Sequence, residues 1–342
     1  MIAHGVRVGR IGTPRAPARA LPGRALLALI AATGCSSEAP LGLGLAPDVE
    51  RAVRSITEGE LTAHVRAIAH DSMAGRRSPG PGEDAAAAYI QARFQEAGLA
   101  PGVGGAWEQE FELFVPVAGI AQNVVGWIEG SDPAYRSEFV VVSAHFDHLG
   151  TGATASGDSI FNGADDNGSG TAALLELAEA LAALETPPRR SVVFAGFAAE
   201  EQGLLGSSWY ASNAPFPIAA TVASLNMDML SRNSPDSIAI LRSSPAIGAV
   251  ADAVAARGGA LGLTVAPDPW PGEDLIRRSD QWSFIREGVD GLLVTSGLHE
   301  DYHRRTDEVD RIDAVKLERV ARLALLVLLD LADPDVWTPA AP

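Results

Sequence analysis

The chain is short of several things, and each shortage excludes something. It holds one cysteine in 342 residues, which rules out an intrachain disulfide framework and a cysteine-built metal site. Basic residues are scarce: 26 Lys and Arg face 43 Asp and Glu, for a formal charge of −17. A nucleic-acid partner held by a basic surface is therefore excluded. No Gly-x-Ser-x-Gly elbow occurs, which argues against a serine hydrolase. There is no internal repeat. What is present is a chain with 47% hydrophobic and 20% charged residues, which folds rather than staying disordered. Its length suits one large α/β domain or two smaller ones.

The front of the chain differs from the rest. Residues 1–34 carry Arg7, Arg10, Arg15, Arg19 and Arg24 and no acid, followed by the apolar run Ala25 to Ala32. That run is too short to cross a bilayer, which takes roughly 20 residues. A basic stretch followed by a short apolar one predicts an export signal over 1–34. Thr33-Gly34-Cys35 resembles the lipobox of bacterial lipoproteins, although Ala32 stands where that motif prefers leucine. The resemblance implies a lipid anchor on Cys35, an exported and membrane-anchored protein, and a mature charge that drops from −17 to −22 with the five arginines. Residues 35–48 then read as lipidated N-terminus and flexible linker, 49–333 as a single domain, and 334–342 as a tail.

Within the domain, residues 49–115 read as a helical lead-in: Leu61, Val65 and Ile68, then Ile90 and Phe94, recur at helical spacing, with a stop at Gly98. From about residue 110 strands and helices alternate. Phe139–Ala144, Ser191–Phe197, Thr221–Asn226, Ser237–Leu241 and Gly291–Thr295 read as buried strands. Gly170–Glu185 and Ala314–Leu331 read as helices. The pattern predicts an α/β fold with a mixed, mostly parallel central sheet covered by helices on both faces. In such sheets the ligand site lies beyond the carboxyl ends of the strands.

Polar residues gather at those strand ends. His145-Phe146-Asp147-His148 follows the first central strand. An extended His-x-Asp puts both side chains on one face, so the aspartate can take the proton of the far ring nitrogen and orient a metal-binding imidazole. Gly163-Ala164-Asp165-Asp166-Asn167-Gly168 is by itself ordinary turn chemistry. Glu200-Glu201 follows the Ser191 strand in apolar surroundings, where paired carboxylates are costly without a cation. Asn226-Met227-Asp228 and His299-Glu300-Asp301-Tyr302-His303 end two further strands.

In order and spacing, these five segments resemble the co-catalytic di-zinc aminopeptidases, the family of bacterial leucyl aminopeptidase and aminopeptidase Y. The likeness runs from about residue 55 to 330 and includes the lead-in loop at Gly75-Arg76. It implies a zinc-dependent exopeptidase that removes N-terminal residues from peptides with a free N-terminus. One Zn2+ would take His145, Asp166 and Asp228, and a second Asp166, Glu201 and His303. Asp166 would bridge the ions, Glu200 would act as general base on a hydroxide shared between them, and Asp147 would orient His145. Two zinc ions balance the three carboxylates plus the hydroxide. His148 and His299 are expected to be structural. Asp280-Gln281 and Arg304-Arg305 depart from the family pattern and are expected along the substrate pocket. The protease-associated insert of many relatives is missing before the His145 strand. Two rivals share the fold: a single-zinc acyltransferase like the glutaminyl cyclases, and a non-catalytic binding lipoprotein.

Overall fold

The computed structural model describes residues 41–114, 117–153 and 157–339. The predicted export signal and Cys35 lie outside these residues. Among the described residues, no helix is long and apolar enough to cross a membrane.

The helices are α1 (Pro47–Ser55), α2 (Glu58–Ile68), α3 (Pro81–Ala97), α4 (Gly170–Ala182), α5 (Leu205–Ser212), α6 (Pro245–Gly258), α7 (Gln281–Arg286) and α8 (Ala314–Leu331). The strands are β1 (Ala100–Pro101), β2 (Glu108–Leu113), β3 (Gly119–Ile128), β4 (Phe139–His145), β5 (Gly150–Thr151), β6 (Ile160–Phe161), β7 (Ser191–Phe197), β8 (Thr221–Met227), β9 (Ser237–Arg242), β10 (Thr264–Ala266) and β11 (Asp290–Thr295). Local chemistry sets several ends. Thr57 caps α2 by accepting the Glu60 N–H at 3.3 Å while its hydroxyl donates to the Glu60 carboxylate at 2.8 Å, a reciprocal capping pair. α3 starts with Pro81 and stops at Gly98, whose φ of 84° suits glycine.

Nine strands form the main sheet in the order β1, β3, β7, β4, β8, β11, β9, β10, with β2 also paired to β3; β5 and β6 form a small hairpin. β7, β4, β8 and β11 run parallel, whereas β3 runs against all its neighbours and β9 runs against β11 but parallel to β10. The sheet is thus mixed and mostly parallel at its centre, as the sequence pattern predicts. Period-two alternation feeds two cores. Val140, Val142 and Ala144 of β4 pack into the layer that holds α1 to α4 and α8. Phe139 and Val141 face α5 and α7 through Tyr210 and Phe284.

Three predicted boundaries change. The linker expected over 35–48 already joins the domain at residue 41. Leu41, Leu43 and Leu45 pack on the core and the Leu41 N–H donates to Glu50 Oε1 at 3.1 Å. Composition points to a tether, but the three leucines are each half-buried against the core while Gly42 and Gly44 between them turn left-handed (φ 73° and 64°) and stay exposed. The lead-in is not helical throughout, because its last part supplies β1 and β2 at the sheet edge. Glu108-Gln109-Glu110-Phe111-Glu112-Leu113 alternates at strand period, with Phe111 and Leu113 buried. The tail expected from 334 begins later: Trp337 is buried, its carbonyl accepts from Arg190 Nη1 at 2.8 Å, and the same guanidinium lies 5.7 Å from its ring.

Candidate active site

Parallel register brings the polar strand ends together. β4 ends in His145, β7 leads into Glu200 and Glu201, Asp228 directly follows β8, and the loop after β11 carries His303. Asp166 sits in the irregular turn that opens α4. The backbone turns left-handed at Ala199 (φ 54°), Met229 (φ 59°) and His303 itself (φ 57°). This region is uncommon for residues other than glycine and clusters at functional sites. Here it swings the chain off each strand so that the carboxylates and imidazoles converge.

Asp166 is the centre of that convergence. Its Oδ1 lies 3.4 Å from His145 Nε2, which is also 3.4 Å from Asp228 Oδ1. Its Oδ2 lies 3.3 Å from His303 Nε2, which is 2.9 Å from Glu201 Oε2. Two metal-sized donor groups result, His145 with Asp166 and Asp228, and His148 with Asp166 and Glu201. The second group is thus approached by two histidines. His148 Nδ1 is 2.7 Å from Glu201 Oε1 but 3.9 Å from Asp166 Oδ2, and it does not line the cavity, whereas His303 does.

The donor set fits divalent cations. Asp166 Oδ2 and Asp228 Oδ1 are buried with no donor in hydrogen-bonding geometry, an arrangement that is costly unless a positive partner satisfies it. Imidazole nitrogens with carboxylate oxygens are zinc-type ligands. Burial opposes charge on His145, but Glu200, Asp228, Asp147 and Asp166 outweigh it and hold its pKa well above the imidazole range. Burial likewise opposes charge on His303, yet Asp166 and Glu201 lift it to about 10. Asp166 is correspondingly held well below the carboxylate range, its burial outweighed by the two histidines.

Further residues hold these groups in place. The far nitrogen of His145 faces Asp147, 3.3 Å from its main-chain oxygen and 3.7 Å from Oδ1. Asp147 Oδ1 accepts the Glu200 N–H at 3.0 Å, so one side chain links the first histidine to the Glu200 backbone. Asn167 ties the Asp166 turn to the Asp228 turn: its Nδ2 donates to the Met227 carbonyl at 2.9 Å and its Oδ1 accepts from Met229 N at 3.1 Å. Asp307 accepts the N–H groups of both Asp165 and Asp166 at 3.0 Å. His299 Nε2 lies 3.3 Å from Asp165 Oδ2.

Arg76 is the residue that sequence reasoning passed over as part of a loop. It is fully buried at φ 51°. Its guanidinium donates to the carbonyls of Phe146 (2.6 Å), Ile68 (2.9 Å), Asn162 (2.6 Å) and Gly163 (3.0 Å). The first lies between His145 and Asp147, and the last two precede Asp166, so Arg76 clamps both loops. Burial lowers its pKa to about 10, opposed by Asp147, Asp307, Asp166 and Glu201. Arg76→Met removes the guanidinium donor from all four buried carbonyls, of which Gly163 still accepts the Gly168 N–H at 3.1 Å. We expect a loss of about 3–5 kcal/mol in urea unfolding; a loss below about 1 kcal/mol would contradict the clamp.

Behind Asp147 lies Glu83, fully buried, with Oε1 accepting the Gln122 N–H at 2.9 Å and Oε2 unpartnered. Burial, more than the Asp147 charge, raises its pKa to about 8 from an ordinary 4.5. The folded state therefore binds the proton more tightly than the unfolded state. That stability is complete below pH 4.5 and is lost as pH rises to 8. Glu83→Gln keeps the acceptor and removes the titration. Across pH 4.5–8 the variant should gain on the parent by on the order of 2 kcal/mol. Parallel stability–pH curves for the two proteins would refute this.

A cavity of about 70 Å3 opens on the site, walled by Met229, Leu275, Leu293 and Leu298 on one side and by the carboxylates on the other. Two expectations for its lining fail. Gln281 is turned away: its Oε1 accepts from Asn226 and its Nε2 donates to the Ile276 carbonyl, so Ser279 lines the cavity instead. Neither Arg304 nor Arg305 lines it. Arg305 lies 4.5 Å from the Phe161 ring and donates to the Ala153 carbonyl at 2.6 Å.

Residues 123–328 match the model of peptidase family M28. The chain belongs to this family. The family match begins on β3 and ends within α8, so it takes in every converging group above except the lead-in with Arg76. The leupeptin-inactivating enzyme 1 of Streptomyces exfoliatus is 29% identical over 163 residues, 47% of this chain and 33% of that protein. The chain thus matches about a third of that relative's length. Among solved structures, the Legionella pneumophila LapA aminopeptidase superposes with a TM-score of 0.64 at 19% identity, over 84% of this chain and 75% of that one. A Porphyromonas gingivalis glutaminyl cyclase superposes with a TM-score of 0.64 at 18% identity, over 80% and 97%. At these identities the likeness is one of fold.

Proposed function

We propose that this M28 chain is a two-zinc aminopeptidase that removes single residues from the free N-terminus of peptides. The observation that carries this reading is Asp166, whose two oxygens each belong to a different histidine–carboxylate group. His145 and Asp228 complete one ion site with it, Glu201 and His303 the other. Two cations held there would polarise the scissile carbonyl and acidify the attacking water. Glu200 lines the cavity but belongs to neither donor group, and so is free to accept the water proton and return it to the leaving amine. Burial pushes its carboxyl well above the usual range; Asp280, Glu201 and Asp228 add to this and His145 opposes it. Asp147 positions Glu200 through its backbone N–H and His145 through its ring. His148 holds Glu201. The apolar wall of Met229, Leu275 and Leu293 receives the first side chain.

The test is a panel of aminoacyl p-nitroanilides assayed with chelator and after zinc return, together with zinc content per chain. Activity should vanish with chelator and return with zinc, at two ions per chain, and N-acetylated substrates should resist. Cleavage of blocked peptides alone would overturn the reading. One ion per chain together with cyclisation of N-terminal glutamine would assign the chain to acyl transfer instead, the alternative that the shared fold leaves open.

A further inference from the structure

Beside the site lies an apolar groove that the reading above does not use. β2 is an edge strand with one partner, β3. Between it and α5 runs a cleft of about 520 Å3 lined by Phe111, Leu113, Phe114, Leu205, Ser208 and Trp209. Phe114 is 74% exposed and Trp209 41%, an unusual degree for such large rings on opposite walls of one cleft. The Trp209 indole stacks on Phe111 at 6.3 Å and 22°, which holds it open toward solvent.

The wall of the groove is joined to the candidate site through the backbone, although the two cavities share no lining residue. The Leu205 N–H bonds the Ala199 carbonyl at 3.1 Å, one residue before Glu200, and the Glu200 carbonyl accepts from Gly203 and Leu204 at 2.8 Å. Five residues therefore lead from the base to the groove wall. β3 begins and β2 ends toward the same rim: Val124 pairs with Gly196 near the carboxyl end of β7, and Leu113 pairs with Gly119. The cavity's apolar wall, which takes the first side chain, lies on the opposite flank, along β8 and β11. A peptide with its first residue there and its scissile bond beside Glu200 continues across β7 toward β3 and β2. Two strand spacings are about 10 Å, roughly three extended residues.

We infer that this groove is a distal subsite for large apolar side chains at the fourth and fifth residues of the peptide substrate, with Phe114 and Trp209 as its specificity determinants. The inference rests on the aminopeptidase reading. Aromatic walls give such side chains apolar contact.

The experiment compares kcat/KM for three substrates with the same first residue. They are leucine p-nitroanilide, which ends before the groove, an otherwise glycine hexapeptide, and the same hexapeptide with phenylalanine at positions four and five. The phenylalanine peptide should exceed the glycine peptide about tenfold. In Phe114→Ala and Trp209→Ala the ratio should fall to within about threefold, with the anilide rate as the internal reference. Equal rates for the two hexapeptides, or a preference that both variants keep, would overturn the subsite while leaving the aminopeptidase reading intact. No hydrolysis of any of the three would sink both. Self-association in sedimentation that Phe114→Asp abolishes would assign the groove to a second copy of the chain and overturn the inference.

Discussion

Replacing Glu200 by glutamine is expected to keep the parent's metal content and to lower kcat by about 10²–10⁴-fold. The geometry allows so clean a separation. Glutamine has the same shape, and the contact that anchors this residue is made by its main chain, where the N–H donates to Asp147 Oδ1 at 3.0 Å. The left-handed turn belongs to Ala199, not to position 200, so the backbone has no reason to move. Neither donor group contains Glu200, so metal content should hold. What disappears is the one carboxylate lining the cavity that is not already committed to a histidine pair. Metal content by mass spectrometry and kcat on leucine p-nitroanilide decide the matter together. Undiminished kcat would remove Glu200 as the base, and loss of an ion would make it a ligand instead.

Asp166→Asn should be more damaging and of a different kind. Both of its oxygens are engaged, one toward His145 and one toward His303. An amide keeps the shape, but it removes the negative charge common to both groups and turns one of the two oxygens into a donor. Metal content should fall to less than half that of the parent, with activity lost at least 10³-fold. Circular dichroism should still report a folded chain, because the turn is held by Asp307 and Asn167 through contacts that do not use the Asp166 side chain. Retention of two ions and parental activity would refute the bridging role.

Much of this was open to reading from the linear pattern. Continuous β-branched runs marked β4 and β7, and the residues that follow them, His145, Glu200 and Glu201, are those that a parallel sheet delivers to its carboxyl rim. Asp147 shows the limit. Strand spacing placed it near the His145 ring, but the bond its carboxylate makes at 3.0 Å is to the Glu200 backbone, 53 residues on. Arg76 shows it more plainly. An arginine in a Gly- and Pro-rich loop looks like surface, yet its four acceptors lie up to 87 residues away. Asp307 and Asn167 are of the same kind. The linker and tail boundaries moved because composition describes how a segment behaves alone, whereas Leu43 and Trp337 are held by a core they do not adjoin in sequence.

Local pattern marked the central strands β4, β7, β8, β9 and β11, the helices α4 and α8 and the sheet class, because periodicity and turn chemistry act within a few residues; it took the resemblance to a family, over the order and spacing of five segments, to single out Asp166 and the other acids and histidines. The tertiary structure decided what those side chains face. It split the oxygens of Asp166 between two histidines, placed His148 as well as His303 against Glu201, buried Arg76 beneath the loops, and opened an aromatic groove beside Glu200. Each of these depends on contacts between distant parts of the chain, and burial then sets how strongly the charges act on one another. No local spacing encodes either.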